Sequence, residues 1–444
     1  MAGRLREKGL SVEGAWQQAL HFAEVGKSLI GRGYTGETPV YGFFVPGRIE
    51  VLGKHTDYAG GSSLLCAVER GFSLVAVPVD DDLVRVTDLR KQAGFAVALE
   101  ATLAPLPGDW SNYIRTVVRR VAQNFPGTHR GGDLVFISDL PKAAGMSSSS
   151  ALMIACFLGL KALNNLGAHP AFLQNIPDAL TLAAYLGTIE NGQTYGTLKG
   201  DLGVGTFGGS QDHTAILCSR AGHLGLFAYS PARKLGEVRW PDEYVFAVAS
   251  SGVHAKKTGG AQAHYNEAAR LASIANSAWN LHTGRQDPHL GAVAASERYD
   301  DKEMAQACLS ETPTDLSGGE VFRRFVQFYE EHMVFIPEAV EALRGGDLNE
   351  FGALVNRSHE AARIGLNNLV PETSFLQEEA RRLGAVAASA FGAGFGGSVW
   401  AMVKEAEAAA FLAAWEEGYA QQHPKAARTA AFMTARPGSA AFAL

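Results

Sequence analysis

The segment that most constrains this chain is LPKAAGMSSSSALMIACFLGLKAL, residues 140–163. Its four consecutive serines are poorly suited to the interior of a helix or strand, because each hydroxyl competes for backbone hydrogen bonds. The run LVFISDL before them predicts a strand, and the apolar run after them predicts a helix that is buried on most sides. The serines therefore occupy a turn between a strand and the N-terminus of a helix.

A turn that enters a helix is a natural seat for phosphate. It exposes unpaired backbone N–H groups and the positive end of the helix dipole. Gly145 allows a ligand to approach the backbone closely, and serine hydroxyls can donate to phosphate oxygens or bind Mg²⁺. N-capping of the helix is the alternative interpretation, although one serine is enough for a cap.

Composition narrows the choice of partner. The 444 residues carry a formal net charge of −6 and no long basic run, so we expect small ligands and neither nucleic acid nor a membrane as partners. The four cysteines lie far apart without a CxxC pair, so neither a disulfide framework nor a zinc site is expected. A protein of this kind fits the reducing cytoplasm. No export signal or membrane-spanning run is expected from the sequence.

The predicted secondary structure changes twice along the chain. An amphipathic helix over residues 11–30 precedes β-rich runs that begin at Tyr41 and predict an antiparallel sheet. A second half, predicted to begin near Tyr244, is mainly helical and contains the strand–glycine–strand unit AVAASAFGAGFGGSVWAMV. These patterns predict two domains, over residues 1–235 and 236–444.

Two literal GxGxxG matches have the wrong context for a dinucleotide fold. The match in GVGTFG follows a polar loop, and the match in GAGFGG runs into a predicted strand where a helix is required. The Gly26-Lys27-Ser28 triplet lacks the upstream glycine of a P-loop, because His21 stands there. A nicotinamide-dependent oxidoreductase is thus an alternative with little support.

Three motifs in order resemble those of the GHMP kinases. PKAAGMSSSSA, residues 141–151, resembles the Pro-x-x-x-Gly-Leu-Ser-Ser-Ser motif, and FGAGFGGSVWAMV, residues 391–403, resembles the third, glycine-rich motif. VPGRIEVLGKHTDYAGG, residues 45–61, is similar to the galactokinase signature Gly-Arg-Val-Asn-Leu-Ile-Gly-Glu-His-Thr-Asp-Tyr. The resemblance extends over roughly the whole chain and identifies it as a member of the galactokinase family.

The resemblance implies a two-lobed α+β fold. The N-terminal lobe would be a mixed sheet with helices, like domain 2 of ribosomal protein S5, and the C-terminal lobe would be ferredoxin-like, with the active site between them. The implied reaction transfers the γ-phosphoryl group of ATP, with Mg²⁺, to the anomeric hydroxyl of a monosaccharide. Galactose is the leading acceptor, and a monomer or weak homo-oligomer is expected.

The resemblance also implies site residues. Asp212 would accept the proton of the acceptor hydroxyl, and Arg48 would stabilise the developing charge. Mg²⁺ would bind Glu190 and a serine of the turn, Ser148. The acceptor would contact His55, Asp57, Tyr58, Lys54 and Gly394. The ATP phosphates would contact Lys142, Ala143, Ala144, Gly145, Met146, Ser147, Ser148 and Ser149.

Ordinary structural roles remain open for several of these residues. Glu190 could be a solvated helix carboxylate, Arg48 a surface cation, and His55 or Asp57 a turn residue. The 392–397 glycines could form only a tight β-turn, and Trp110 could border the adenine or belong to the core.

Departures from the signature affect the predicted sugar site. Lys54 stands where the signature usually has Glu, and a lysine there would suit a carboxylate on the sugar. Ala261 stands where a tyrosine is usual, and Tyr265 lies one helical turn away. A uronic acid, L-arabinose or another hexose is therefore an alternative acceptor, and a non-catalytic sugar sensor is an alternative function. Extra residues between Glu190 and Asp212 introduce Asp201 as a rival carboxylate.

Overall fold

The computed structural model describes residues 1–141, 145–253 and 260–444. Its strands are β1 (Tyr41–Leu52), β2 (Ser62–Pro78), β3 (Leu83–Asp88), β4 (Ala93–Ala98), β5 (Gly132–Ser138), β6 (His223–Ala228), β7 (Arg233–Arg239), β8 (Tyr244–Ser250), β9 (Ala387–Phe391), β10 (Ser398–Lys404), β11 (Ala431–Ala435), β12 (Pro437–Gly438) and β13 (Phe442–Ala443).

The α-helices connect and cover these strands. They are α1 (Ala2–Glu7), α2 (Val12–Gly31), α3 (Ser111–Asn124), α4 (Ser148–Leu163), α5 (Pro170–Asn175), α6 (Ala179–Asn191), α7 (Gln211–Cys218), α8 (Gly260–Thr283), α9 (Leu290–Ala294), α10 (Asp301–Glu311), α11 (Gly318–Tyr329), α12 (Ile336–Gly345), α13 (Leu348–Gly365), α14 (Pro371–Arg382) and α15 (Ala408–Gln422). A π-helical turn, Glu330–Phe335, joins α11 to α12. None of these helices has the length and apolar character needed to cross a membrane.

The first sheet is built on β1 and β2. Its order is β13-β1-β2-β5-β3-β4, with β6 and β12 also pairing with β2, and β7 with β6. Most pairs are antiparallel, as expected, but β3 and β5 are parallel, so the sheet is mixed. The predicted domain boundary after residue 235 falls within β7, and the division itself remains a prediction.

Helices cover both faces of this sheet because its strands are apolar on both sides. α2 begins after Ser11, whose side chain accepts a hydrogen bond from the backbone of Gly14 at 3.1 Å. Phe22 and Val25 of α2 pack on one face, and the helices α3 and α4 pack on the other. α4 is buried almost all round, as its apolar sequence predicts.

The second sheet is antiparallel, with the order β11-β8-β10-β9. One face packs on α14 and α15 around Trp415 and Tyr419. The other face contributes Phe246 and Trp400 to the core that also contains α4 and β1. A shared core therefore fixes the β9–β10 turn against the turn that enters α4.

Candidate active site

The serine turn and the glycine turn lie against each other. Ser147 adopts a left-handed conformation with φ of +55°, and α4 begins at the next residue. Gly145 and Gly392 also have positive φ, and a Cβ on Gly392 would lie 2.9 Å from the Gly145 carbonyl oxygen. The close approach of the two turns therefore requires glycine.

A cavity of about 610 Å³ opens beside these turns. It is lined by residues 147–149 and Arg48 and by aromatic side chains that include Trp110 and Tyr113. The Lys91 ammonium lies 5.3 Å from the centroid of the Trp110 ring. A lining that combines hydroxyl groups and a helix N-terminus with aromatic rings suits the phosphates and the base of a nucleotide.

Arg48 reaches this cavity because β1 is irregular. The register of β1 on β2 shifts between Pro46, which has no backbone N–H, and Arg48. The Arg48 backbone N–H instead donates to the Met146 carbonyl at 3.3 Å, which ties β1 to the serine turn. The Met146 side chain itself is buried in the core.

The Arg48 side chain is 3% exposed and forms an ion pair with Asp212. Its Nε and Nη2 atoms lie 2.8 and 2.7 Å from Asp212 Oδ1, and Nη1 donates to the Gly145 carbonyl. Burial lowers the pKa of the Arg48 guanidinium, but the charge and hydrogen bond of Asp212 together with the nearby Glu50 carboxylate more than offset burial, so the pKa is raised. Arg48 is therefore a buried cation and not an ordinary surface residue.

Ser150 connects two carboxylates of the site, Glu190 and Asp212. Its hydroxyl donates to Glu190 Oε2 at 3.2 Å and lies 3.4 Å from Asp212 Oδ2, so the two carboxylates compete for one proton. Glu190, on α6, is 7% exposed and also accepts a bond from Thr206 at 3.3 Å. It is not a solvated helix carboxylate.

A smaller pocket of about 40 Å³ adjoins the cavity, and Arg48 and Ala393 line both. Asp57 lines this smaller pocket, and its Oδ2 accepts a hydrogen bond from the Gln211 backbone at 3.0 Å. A Cβ on Gly209 would lie 2.6 Å from the same oxygen, so glycine is needed beside this carboxylate.

His55 lines the smaller pocket, whereas Tyr58 does not. His55 Nε2 donates to the Ala393 carbonyl at 3.1 Å, so in the neutral ring Nδ1 accepts from the Tyr58 hydroxyl at 2.9 Å. Arg324 also donates to the Tyr58 hydroxyl, at 3.2 Å. Tyr58 therefore orients His55 from behind the pocket, and Tyr265 lines it instead, 5.0 Å from the His55 ring.

Lys54 is directed away from the smaller pocket. The side chain is 2% exposed, and its ammonium group donates to Ser358 Oγ on α13 at 2.8 Å. Lys54 is not among the residues that line the smaller pocket, although Glu50, on the preceding strand, is. The exchange of Glu for Lys at position 54 therefore does not place a cation at the pocket wall.

Comparison with known proteins identifies the family. Residues 112–209 match the GHMP kinases N terminal domain, residues 339–421 match GHMP kinases C terminal, and residues 32–78 match the galactokinase galactose-binding signature. The galactokinase of Chloroflexus aurantiacus is 30% identical over 396 residues, which cover 87% of this chain and 90% of that protein. This chain belongs to the galactokinase family.

Other relatives of the family agree. The galactokinase of Glaesserella parasuis is 27% identical over 395 residues, covering 88% of this chain and 91% of that protein. The crystal structure of Lactococcus lactis galactokinase complexed with galactose has the same fold, with a TM-score of 0.77, 24% identity, and coverage of 95% of this chain and 99% of the other. The expected family, the α+β GHMP kinase fold and the phosphotransferase class are confirmed.

Some residues that the family motifs predict for the site lie at a different place in the structure, and others lie outside the described residues. Gly394, predicted to touch the acceptor, lines the larger cavity; its φ is +81° and a Cβ there would lie 2.5 Å from Asn368. Lys142, Ala143 and Ala144 lie outside the described residues, as does the side chain of Ala261. Their roles remain predictions.

The motifs did not reveal three residues of the site: Ser150, Gln211 and Glu50. Ser150 is the fourth serine of a motif in which the family uses three, and that extra hydroxyl was the available signal. Glu50 stands where the signature has Asn. Gln211 precedes Asp212 but gave no signal of its own.

The oxygen atoms of the site suit Mg²⁺. Ser147 Oγ is buried and has no hydrogen-bond partner among the described residues, and Ser148 lines the larger cavity. Within the described ranges there is no group of three or more His, Cys, Asp or Glu that could hold a metal alone. A site with one carboxylate and serine oxygens fits an ion that keeps water and phosphate ligands.

Proposed function

We propose that this protein is a galactokinase that transfers the γ-phosphoryl group of ATP to the anomeric hydroxyl of galactose. The observation that carries the proposal is the position of the Arg48–Asp212 ion pair, because Arg48 lines both the larger cavity and the smaller pocket. A group in that position faces both reactants. Phosphoryl transfer depends on positioning and charge stabilisation at that junction.

In this proposal the larger cavity binds ATP. The backbone at Gly145 and the hydroxyls of residues 147–149 bind phosphate oxygens, and Trp110 borders the base. Glu190 with Ser148 would hold Mg²⁺, which neutralises phosphate charge when bound. The left-handed turn at Ser147 and the N-terminus of α4 support this assignment.

The smaller pocket binds the sugar. Asp57 accepts hydrogen bonds from sugar hydroxyls, and His55 is held in a fixed tautomer by Ala393 and Tyr58. Asp212 accepts the proton of the attacking hydroxyl. Arg48, whose charge is secured by the same carboxylate, stabilises the negative charge that develops on the transferred group.

The test measures ADP release coupled to NADH oxidation, with ATP, Mg²⁺ and a series of sugars. We expect turnover with galactose and a product phosphorylated at C1, identified by ³¹P and ¹³C NMR. Galacturonic acid and L-arabinose test the alternative acceptors. Sugar binding without any ADP release, measured by calorimetry, would instead support a sensor and overturn the proposal.

The setting of the enzyme is part of the proposal. The four cysteines are free thiols, and Cys66, Cys156 and Cys308 are buried, which supports a reducing cytoplasm. We also infer that the enzyme works as a monomer or weak homo-oligomer, which sedimentation velocity would test.

A further inference from the structure

Glu50 is a buried carboxylate at the wall of the smaller pocket. It lies on β1 and is 3% exposed. Its Oε2 accepts a hydrogen bond from the Gln211 side-chain amide, whereas its Oε1 has no hydrogen-bond partner among the described residues. A buried acceptor oxygen without a donor is costly and calls for an explanation.

The neighbouring cations do not supply the missing donor. The Arg48 guanidinium donates to Asp212 and to the Gly145 carbonyl, and the Lys54 ammonium donates to Ser358. Within the described ranges, no Lys or Arg nitrogen lies within 4.0 Å of the Glu50 carboxylate. Burial, opposed in part by Arg48 and Lys54, raises the pKa of Glu50 to about 7.

The charges around the smaller pocket indicate what could supply the donor. Glu50, Asp57, Glu190 and Asp212 contribute carboxylates to the lining, and Arg48 is the cation among the described lining residues. Such a lining repels a sugar acid and attracts hydrogen-bond donors.

We propose that Glu50 is a specificity-determining residue that accepts a hydrogen bond, through Oε1, from a hydroxyl or ammonium group of the acceptor sugar. This inference rests on the proposed function. It replaces the expectation that Lys54 selects a sugar carboxylate, because the Lys54 ammonium is bound to Ser358.

The chain offers a matched control, Glu331. This glutamate is also fully buried and has an unpartnered Oε2 among the described residues, but Oε1 accepts from the Gly53 backbone at 2.6 Å. Glu331 does not line the smaller pocket. If the substitutions act only by disturbing a buried carboxylate, those of Glu50 and Glu331 should alter the kinetics alike. If Glu50 binds the sugar, only the substitutions of Glu50 should alter the KM for the sugar.

The test compares kcat and KM of the wild type, Glu50→Gln, Glu50→Ala and Glu331→Gln, each checked by its melting temperature. The acceptors are galactose, its four monodeoxy derivatives at C2, C3, C4 and C6, galactosamine and galacturonic acid. We expect Glu50→Ala to raise KM for galactose about tenfold or more, which is the range for a lost hydrogen bond to a charged group. One deoxy sugar should show no such increase, which identifies the hydroxyl.

Galactosamine separates the two donors. If an ammonium group is recognised, Glu50→Gln raises KM for galactosamine by a larger factor than for galactose; if a hydroxyl is recognised, the two factors agree. Equal effects of Glu50→Ala on every sugar, or effects matched by Glu331→Gln, overturn the inference while the kinase function stands. Absence of turnover by the wild type with every sugar overturns both.

Discussion

Arg48 and Asp212 form a buried ion pair in which two guanidinium nitrogens lie within 2.8 Å of one carboxylate oxygen, Oδ1. The pair joins β1 to the first turn of α7, residues that are 164 positions apart in the chain. Oδ2 is left facing the Ser150 hydroxyl at 3.4 Å. One oxygen thus contacts the cation, and the other lies near the Ser150 hydroxyl, which also donates to Glu190.

Asp212→Asn is predicted to lower kcat by about 10²-fold or more, because general-base catalysis contributes 10²–10⁴-fold. The dissociation constant for ATP should change little, since Asp212 lines the smaller pocket and not the larger cavity. Stopped-flow turnover and calorimetric ATP binding measure the two effects. The substitution leaves Arg48 without its full partner, so a lower melting temperature is also expected.

The rival carboxylate Asp201 provides the control for this prediction. It forms an ion pair with Arg119 at 2.5 Å in the loop after α6, and both side chains are about one-fifth exposed or less. Asp201→Asn should keep kcat within a few-fold of the wild type. Equal losses in Asp201→Asn and Asp212→Asn would show that the proton acceptor has been misassigned.

Arg48→Lys is predicted to lower kcat about 10²–10³-fold, which is the usual cost of one preorganised donor to developing charge. Lysine keeps the charge, but it lacks the planar group that contacts Asp212 and Gly145 together. Arg119→Lys is the matched substitution in an ion pair outside the site. A kcat for Arg48→Lys equal to that of Arg119→Lys would contradict a role in transfer.

The motifs predicted the main features of the candidate site because the residues in each motif favour the local backbone arrangement that the site needs. The serine turn needs a strand before it and a helix after it, and the structure has β5 and α4 there. The irregularity of β1 that turns Arg48 inward follows from Pro46 and Gly47 in mid-strand. The family's fold could therefore be predicted from local sequence.

The directions of the side chains around the smaller pocket could not be predicted in this way. Lys54 is bound by Ser358, 304 residues later, and a second register shift after Glu50 changes which residues of β1 face the pocket. Position in a signature does not report such long-range partners. Tyr58, predicted to contact the acceptor, does not line the pocket, whereas Tyr265, one turn beyond the position where a tyrosine is usual, does, because α8 brings it to the pocket wall.

Ser150→Ala is predicted to reduce kcat about tenfold and to raise the Mg²⁺ concentration needed for half-maximal rate. The hydroxyl donates to Glu190 at 3.2 Å and lies near Asp212, so its loss leaves two neighbouring carboxylates without their shared donor. Titration of the rate with Mg²⁺ measures the second effect. A variant with reduced kcat but an unchanged Mg²⁺ requirement would indicate that Ser150 does not act through Glu190.

The stability of the protein is predicted to fall as pH falls below about 6.5, in part because of His359. Burial, helped by the Lys54 ammonium, lowers the pKa of His359 to about 3, and its ring accepts a hydrogen bond from the Ala390 backbone at 3.3 Å. In the unfolded chain His359 binds a proton as the pH falls below about 6.5, whereas in the folded chain it stays neutral until about pH 3. The free energy of unfolding therefore decreases as the pH falls from 6.5 towards 3. At pH 5 the loss is about 2 kcal/mol.

His359→Asn tests this origin, because its side-chain oxygen can accept the Ala390 hydrogen bond but cannot titrate. Urea unfolding at pH 8 and pH 5 should show a difference in stability between the two pH values that is about 2 kcal/mol smaller than in the wild type. His129→Asn, at an exposed position, serves as the control and should keep the wild-type difference. If His359→Asn also keeps it, the buried ring is not the group that makes the fold sensitive to acid.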